Sequence, residues 1–362
     1  MLPRRVAVLL AITLVLSALG TSTVHAKKPT PPPPLTNPAF VFVAEDDTKP
    51  LPYRQLYLTD IDGSATEQLT FDAYMKILPE WSPDGTRIAY ARSQDGTGLW
   101  CGGIYARNAD GTGDEELLYD LCEGEYPLYL WGTPSRLPWS PDDRMLIGAQ
   151  GPVSLDPGIY EVDLATGDVR NIVPSLTPGL LDRAIHAAWS PDLDDSTPGY
   201  QGEIAVCGNA YDPTWHETGI FVLDPATGAL KRTIPGTEES DGYGCNEGGT
   251  QIDWSIDGEW LLYGMNYDDD QAGQHEHHLL KSRADGTGQP TVVIADFGRG
   301  QTAGWSPDAA LISLVADHEV RKNKMQRDLF YMSADGSGIT DVTGSAQTEV
   351  DQDWNPIWEL QP

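Results

Sequence analysis

Apolar residues along this chain come in short runs separated by turn residues, and no long helical stripe interrupts them. The first clear run is Ala39-Phe40-Val41-Phe42-Val43-Ala44, and similar runs follow to the C-terminus. Two elements alternate. One is a strand ending at Trp, a turn and a second strand: Trp81-Ser82-Pro83-Asp84-Gly85-Thr86-Arg87-Ile88-Ala89-Tyr90. It returns at Trp139-Ser140-Pro141-Asp142-Asp143, Trp189-Ser190-Pro191-Asp192, Trp254-Ser255-Ile256-Asp257-Gly258 and Trp305-Ser306-Pro307-Asp308-Ala309, and is shortened at Trp354-Asn355-Pro356. The spacings between these Trp residues are 58, 50, 65, 51 and 49. The other element is an aromatic or aliphatic run leading into a turn, such as Leu56-Tyr57-Leu58-Thr59-Asp60-Ile61-Asp62-Gly63 or Leu329-Phe330-Tyr331-Met332-Ser333-Ala334-Asp335-Gly336.

Turn chemistry explains both. Pro presets φ, Asp caps through its side chain, and Gly takes the left-handed position; Asp-Gly does the same for a hairpin. Each repeat therefore holds four strands, and four strands in about 50 residues make a propeller blade. Six copies predict an all-β, six-bladed β-propeller. Trp81, Trp139, Trp189, Trp254, Trp305 and Trp354 read as packing residues between blades. The ends complement each other: Trp354 ends an inner strand with nothing after it, while residues 39–44, 55–59 and 67–70 supply three strands without an inner one. The last blade is thus expected to close with one C-terminal and three N-terminal strands, leaving no open sheet edge.

Ahead of the repeats, residues 1–26 read as a secretory signal: Arg4 and Arg5, an apolar run from Val6 to Leu19, and small residues at Val24 and Ala26. That run is too short for a confident membrane span. Residues 27–37, with Pro29 and Pro31 to Pro34, predict a stiff spacer. The propeller is expected over 38–362, in a periplasmic or secreted protein that is monomeric and has no membrane span after cleavage.

The formal charge is −31, and −33 once Arg4 and Arg5 are removed. So much acid argues against nucleic acid as a partner, because phosphates are repelled. The 37 Gly, 28 Pro and 11 Trp against 6 Phe suit a turn-rich β protein.

Trp-Ser-Pro-Asp-Gly-x-x-Ile-Ala-Tyr, followed by Leu-Phe-Tyr-Met-Ser-Ala-Asp-Gly-Ser-Gly, resembles the TolB-type propeller repeat, and the resemblance runs from Pro38 onward. In TolB an α/β domain precedes the propeller; here the proline spacer stands in that place. The resemblance implies a scaffold that binds an envelope protein or a small ligand such as an oligosaccharide. Oligogalacturonate lyases use similar repeats and hold a metal, so a metal-dependent lyase or hydrolase acting at the rim is the alternative.

Four Cys in an exported chain predict two disulfides. Cys101 and Cys122 bracket one hairpin, and Cys207 and Cys245 lie at one rim, giving the pairs Cys101–Cys122 and Cys207–Cys245. Counting back three residues from each Trp to the start of the inner strands marks Arg136, His186, Gln251 and Asp351 as candidate ligand-binding groups. Asp268-Asp269-Asp270 and His275-Glu276-His277-His278 form an acidic and histidine-rich stretch in an expected loop. His275, His277 and Asp269 are the candidate ligands for a divalent cation; otherwise no cofactor is expected. Asp60-Ile61-Asp62-Gly63 lacks the later ligands of a calcium loop. No Gly-x-Ser-x-Gly, His-Glu-x-x-His or phosphate loop occurs, and no catalytic residue is assigned.

Overall fold

The computed structural model describes residues 38–46, 53–93, 102–122, 128–130, 136–150, 157–172, 183–191, 202–211, 216–235, 243–244, 252–269, 274–295, 302–321, 324–344 and 348–354, some strand-end residues by their backbone alone. They lie within one compact unit, Pro34–Pro362. Among them every regular element is a strand, and the strands form six antiparallel sheets, the blades of a six-bladed propeller.

Blade 1 consists of Lys76–Trp81, Arg87–Ser93, Gly102–Asn108 and Glu116–Asp120, from the axis outward. Blade 2 consists of Tyr129–Leu130, Arg144–Gln150, Pro157–Asp163 and Val169–Asn171. Blade 3 holds Arg183–Trp189, Ile204–Tyr211, His216–Leu223 and Leu230–Thr233. In blade 4 two inner pieces, Tyr243–Gly244 and Ile252–Trp254, share the edge of Trp260–Asp269, followed by Gln274–Arg283 and Thr291–Ile294. Blade 5 holds Ala303–Trp305, Leu311–Arg321, Lys324–Ser333 and Thr340–Asp341. Blade 6 joins the two ends: Thr348–Trp354 is its inner strand, and Phe40–Asp46, Tyr53–Thr59 and Thr66–Gln68 complete it. Phe40 pairs with Trp354 and Glu45 with Thr348, which is the closure expected from the repeats.

Six apolar clusters account for the ring. Trp81 packs with Val41, Val43 and Leu56 of blade 6. Trp139 packs with Ile77, Ala89 and Ile104 of blade 1, and Trp189 with Leu146 and Ile159 of blade 2. Trp254 meets Ala188, Ala205 and Ile220 of blade 3, and Trp305 meets Leu262 and Leu279 of blade 4. Phe40 and Phe42 close the circle against Val315, Leu329 and Val342 of blade 5. Each of these five Trp residues thus faces the preceding blade. Two are also covered by an arginine of the preceding blade: Arg87 lies 5.6 Å above Trp139, and Arg144 lies 4.8 Å above Trp189. Such stacking adds about 0.5–2 kcal/mol to what burial of the ring supplies.

The turns after Trp81, Trp139, Trp254 and Trp305 are built by one hydrogen-bond exchange. Ser82 Oγ donates to Asp84 Oδ1 at 2.6 Å and accepts from the Arg87 N–H at 2.9 Å. Ser255 and Ser306 repeat both bonds, to Asp257 and Trp260 and to Asp308 and Leu311. The residue after Asp is left-handed, with φ of 68° at Gly85 and 72° at Gly258. In blades 2 and 5 that position holds Asp143 at 61° and Ala309 at 56°. A side chain there is strained by about 1 kcal/mol. Asp143 offsets the strain, because its carboxylate accepts a bond from Trp139 Nε1 at 3.1 Å.

Two expectations follow. Ala309→Gly raises the unfolding free energy by about 1 kcal/mol, whereas Asp143→Gly gives no gain; paired urea titrations read the difference. Deleting residues from Thr348 onward uncovers the edge of Phe40–Asp46 and lowers Tm by more than about 10 °C, followed by circular dichroism.

Candidate functional site

At the ends of the inner strands, where the Trp-Ser-Pro turns converge on the axis, lies a cavity of about 300 Å³. It is lined by Trp81, Trp139, Trp189, Trp254 and Trp305. Its mouth carries Pro83, Pro141, Pro191, Ile256 and Pro307, one from each of five blades. Ile256 replaces the proline of the other repeats and is 53% exposed, so the mouth is apolar and open to solvent.

Three charged side chains, Glu80, Arg136 and Asp253, also line it. Arg136 forms a two-pronged pair with Glu80, Nε to Oε2 at 3.0 Å and Nη2 to Oε1 at 3.1 Å. Its remaining prong, Nη1, donates to Asp253 Oδ1 at 2.6 Å. Asp253 Oδ2 then accepts from the Trp305 backbone N–H at 2.6 Å. One guanidinium therefore ties blades 1, 2 and 4, and through Asp253 blade 5. All three side chains are nearly buried, between 9% and 16% exposed.

Local irregularities put them there. The ladder of blade 1 slips between Ile77 and Glu80, where Leu78 is left-handed at φ 56° and Pro79 has no N–H to pair. This bulge re-aims Glu80, as bulges beside sites commonly do. Arg136 belongs to no strand: on its inner edge the second strand of blade 2 pairs, among the described residues, with Tyr129–Leu130 and through a single bridge at Trp139.

His186 lies elsewhere. It follows a register shift in the inner strand of blade 3, opposite Cys207, and is 2% exposed. Neither ring nitrogen has a hydrogen-bond partner among the described residues. Burial alone lowers its pKa from 6.5 to about 4, so the ring is neutral. Gln251 falls outside the described residues, and of Asp351 only the backbone is described, paired with Val43. Of the four residues marked by counting back from Trp, Arg136 lines the cavity and His186 is absent from its described lining, while Gln251 and the Asp351 side chain fall outside the described residues. The partners of Arg136, Glu80 and Asp253, were missed, although a carboxylate directly before Trp was a readable signal.

The acidic and histidine-rich stretch of blade 4 was expected in a loop. Most of it lies in strands, because the hairpin ladder continues outward through Asp268 with His275 and Asp269 with Gln274. Asn266 pairs with His277, so Asp268 shares ladder parity with His275 and His277, and Asp269 has the other. Of the candidate ligands only the His277 side chain is described, 8% exposed. Among the described residues no group of three could hold a metal ion. Cys122 and Cys207 are not free thiols, and their expected partners Cys101 and Cys245 fall outside the described residues.

Arg136→Met leaves two carboxylates facing each other, and we expect it to cost about 3 kcal/mol in urea titration, most of it restored when Glu80→Gln and Asp253→Asn are added. The buried His186 gives a signed pH effect. Its folded pKa is depressed, so the unfolded chain takes the proton first. The stability supplied by the neutral ring is present above pH 6.5 and drains as pH falls from 6.5 towards 4. Between pH 7.5 and 4.5 the protein loses about 2–3 kcal/mol more than its His186→Met variant, read by urea titration at each pH.

No protein-family model matches the sequence, and no curated protein matches it either. Solved structures do. TolB from Acinetobacter baumannii superposes with a TM-score of 0.59 at 20% identity, over 88% of this chain and 66% of that one, so this chain spans about two thirds of its length. An oligogalacturonate lyase from Vibrio parahaemolyticus reaches a TM-score of 0.49 at 14% identity, over 82% of this chain and 72% of that one. A protein assigned as TolB from Agrobacterium tumefaciens reaches 0.49 at 14% identity, over 88% and 99%. At these identities the likeness is one of fold, and the last two are too distant to carry more. The chain is a six-bladed β-propeller of TolB-like fold.

Proposed function

We propose that this chain is an exported binding propeller of the cell envelope, taking a protein or small ligand at the axial cavity. The observation that carries the reading is the cavity itself: an open apolar mouth, a lining of five Trp residues and an ion-paired floor. Ligand sites of this kind are concave, mostly apolar and hold a few placed polar groups. Export is supported by Arg4, Arg5, the apolar run from Val6 to Leu19, and Val24 and Ala26. The pairs Cys101–Cys122 and Cys207–Cys245 fit an oxidising compartment.

Immobilised protein is expected to capture one specific component from an envelope extract. Ile256→Asp, at the mouth, abolishes that capture, while Phe71→Asp, at a 77% exposed position away from the cavity, leaves it intact. Equal capture by both variants overturns the reading. Stoichiometric metal in the purified protein, lost on His275→Ala, instead favours the metal-dependent lyase. Peptide mapping without reductant checks the two disulfides.

A further inference from the structure

We infer that the group this cavity accepts is a cation on an apolar stem, the lysine or arginine side chain of a partner polypeptide. The inference rests on the reading of the cavity as a binding site. Three features of the cavity and its surroundings lead to it. First, the described charges lining the cavity are two carboxylates, Glu80 and Asp253, against the single guanidinium of Arg136. Among the described residues the lining therefore holds an excess negative charge behind low-dielectric walls, where field lines concentrate. Second, each apolar mouth residue is followed in the chain by the aspartate of its turn, and Asp84, Asp142, Asp257 and Asp308 are held in place by the serine hydroxyls two residues before them. The nearby cations are already engaged. Arg144 pairs with Asp142 and Glu161, and Arg87 pairs with Glu116 while covering Trp139. Third, the route inward passes Ile256, Pro83 and Pro307, surfaces suited to the methylene stem of a long basic side chain rather than to a bare hydrated ion. An anionic ligand meets the opposite field throughout, and the whole chain, at −31, steers basic partners towards it.

The probe is the tripeptide Ac-Ala-Lys-Ala-NH2, titrated against intrinsic Trp fluorescence at pH 7 and low salt. Its neutral counterpart carries Nε-acetyllysine. We expect a saturable response to the lysine peptide, at least tenfold weaker for the acetylated one, and weakened again by salt. Glu80→Gln removes the excess charge while Asp253 still holds Arg136, and it weakens lysine-peptide binding at least fivefold. Arg136→Met adds to the excess and tightens it; opposite responses from two folded variants cannot come from general damage. Equal binding of both peptides overturns the cation inference and leaves the binding site standing. No saturable response to either peptide also overturns it. Capture from extract that ignores Ile256→Asp removes the underlying reading instead.

Discussion

The pairing of Thr348–Trp354 with Phe40–Asp46 is the contact on which the rest of the ring depends. A blade buries its two faces only against its neighbours, so an open ring would leave two faces wet at once. Here those faces would be the cluster of Phe40 and Phe42 with blade 5 and the cluster of Val41, Val43 and Leu56 with Trp81. Joining the chain ends is cheap by comparison, since closure entropy grows only with the logarithm of loop length. Closure also fixes the circumference, and the circumference fixes what meets at the axis. Arg136 touches Glu80 and Asp253 from 56 and 117 residues away in the chain. Gly63 shows how tight the fit between blades is: a Cβ there would sit 1.8 Å from the carbonyl oxygen of Val342, in the neighbouring blade.

The ionic floor is not explained by stability. Nearly buried ion pairs seldom outperform well-packed apolar groups of the same size, because both partners lose their water. What such a network does well is fix geometry. Arg136 presents a planar fork that accepts two carboxylates in only one arrangement, and Asp253 passes the constraint to the Trp305 backbone. Adjacent inner strands of a propeller share no backbone ladder across the axis, so side chains must supply that register. The same groups then stand at the base of an open apolar cup, already desolvated and already oriented. Little reorganisation remains for an incoming ligand to impose.

Much of the architecture was legible because packing repeats. Six agreeing copies of the Trp element and of the aromatic run set the blade count, the four-strand unit and the closure, and the structure matches all three. The site was less legible. Counting three residues back from each Trp assumes a regular inner strand in every blade. That holds for Asp351, within Thr348–Trp354, and fails at Leu78, on a bulge, and at Arg136, outside any strand. It also treats a polar residue near the axis as exposed, whereas His186 is buried with neither nitrogen bonded among the described residues. In blade 4 the acidic and histidine-rich stretch looked like loop chemistry; hydrogen bonding along the hairpin extended the strands through it regardless of polarity.

These failures have a common cause, and it bears on how a ring can hold a site at all. A side chain shared by all six repeats is placed six times around the axis, which suits an indole but not a charge. Six carboxylates at the position before Trp would repel one another in a confined mouth. The residues there are Glu80, Pro138, Ala188, Asp253, Gly304 and Asp353, so three blades carry acid and three carry none, and one blade offers Arg136 nearby. Chemistry in this fold must come from the positions where the repeats disagree. The bulge at Leu78, the strand-free approach of Arg136 and Ile256 in place of proline are such departures, and all three converge on one cavity. Agreement among repeats marks what builds the ring, and disagreement around the axis marks where it can recognise something else.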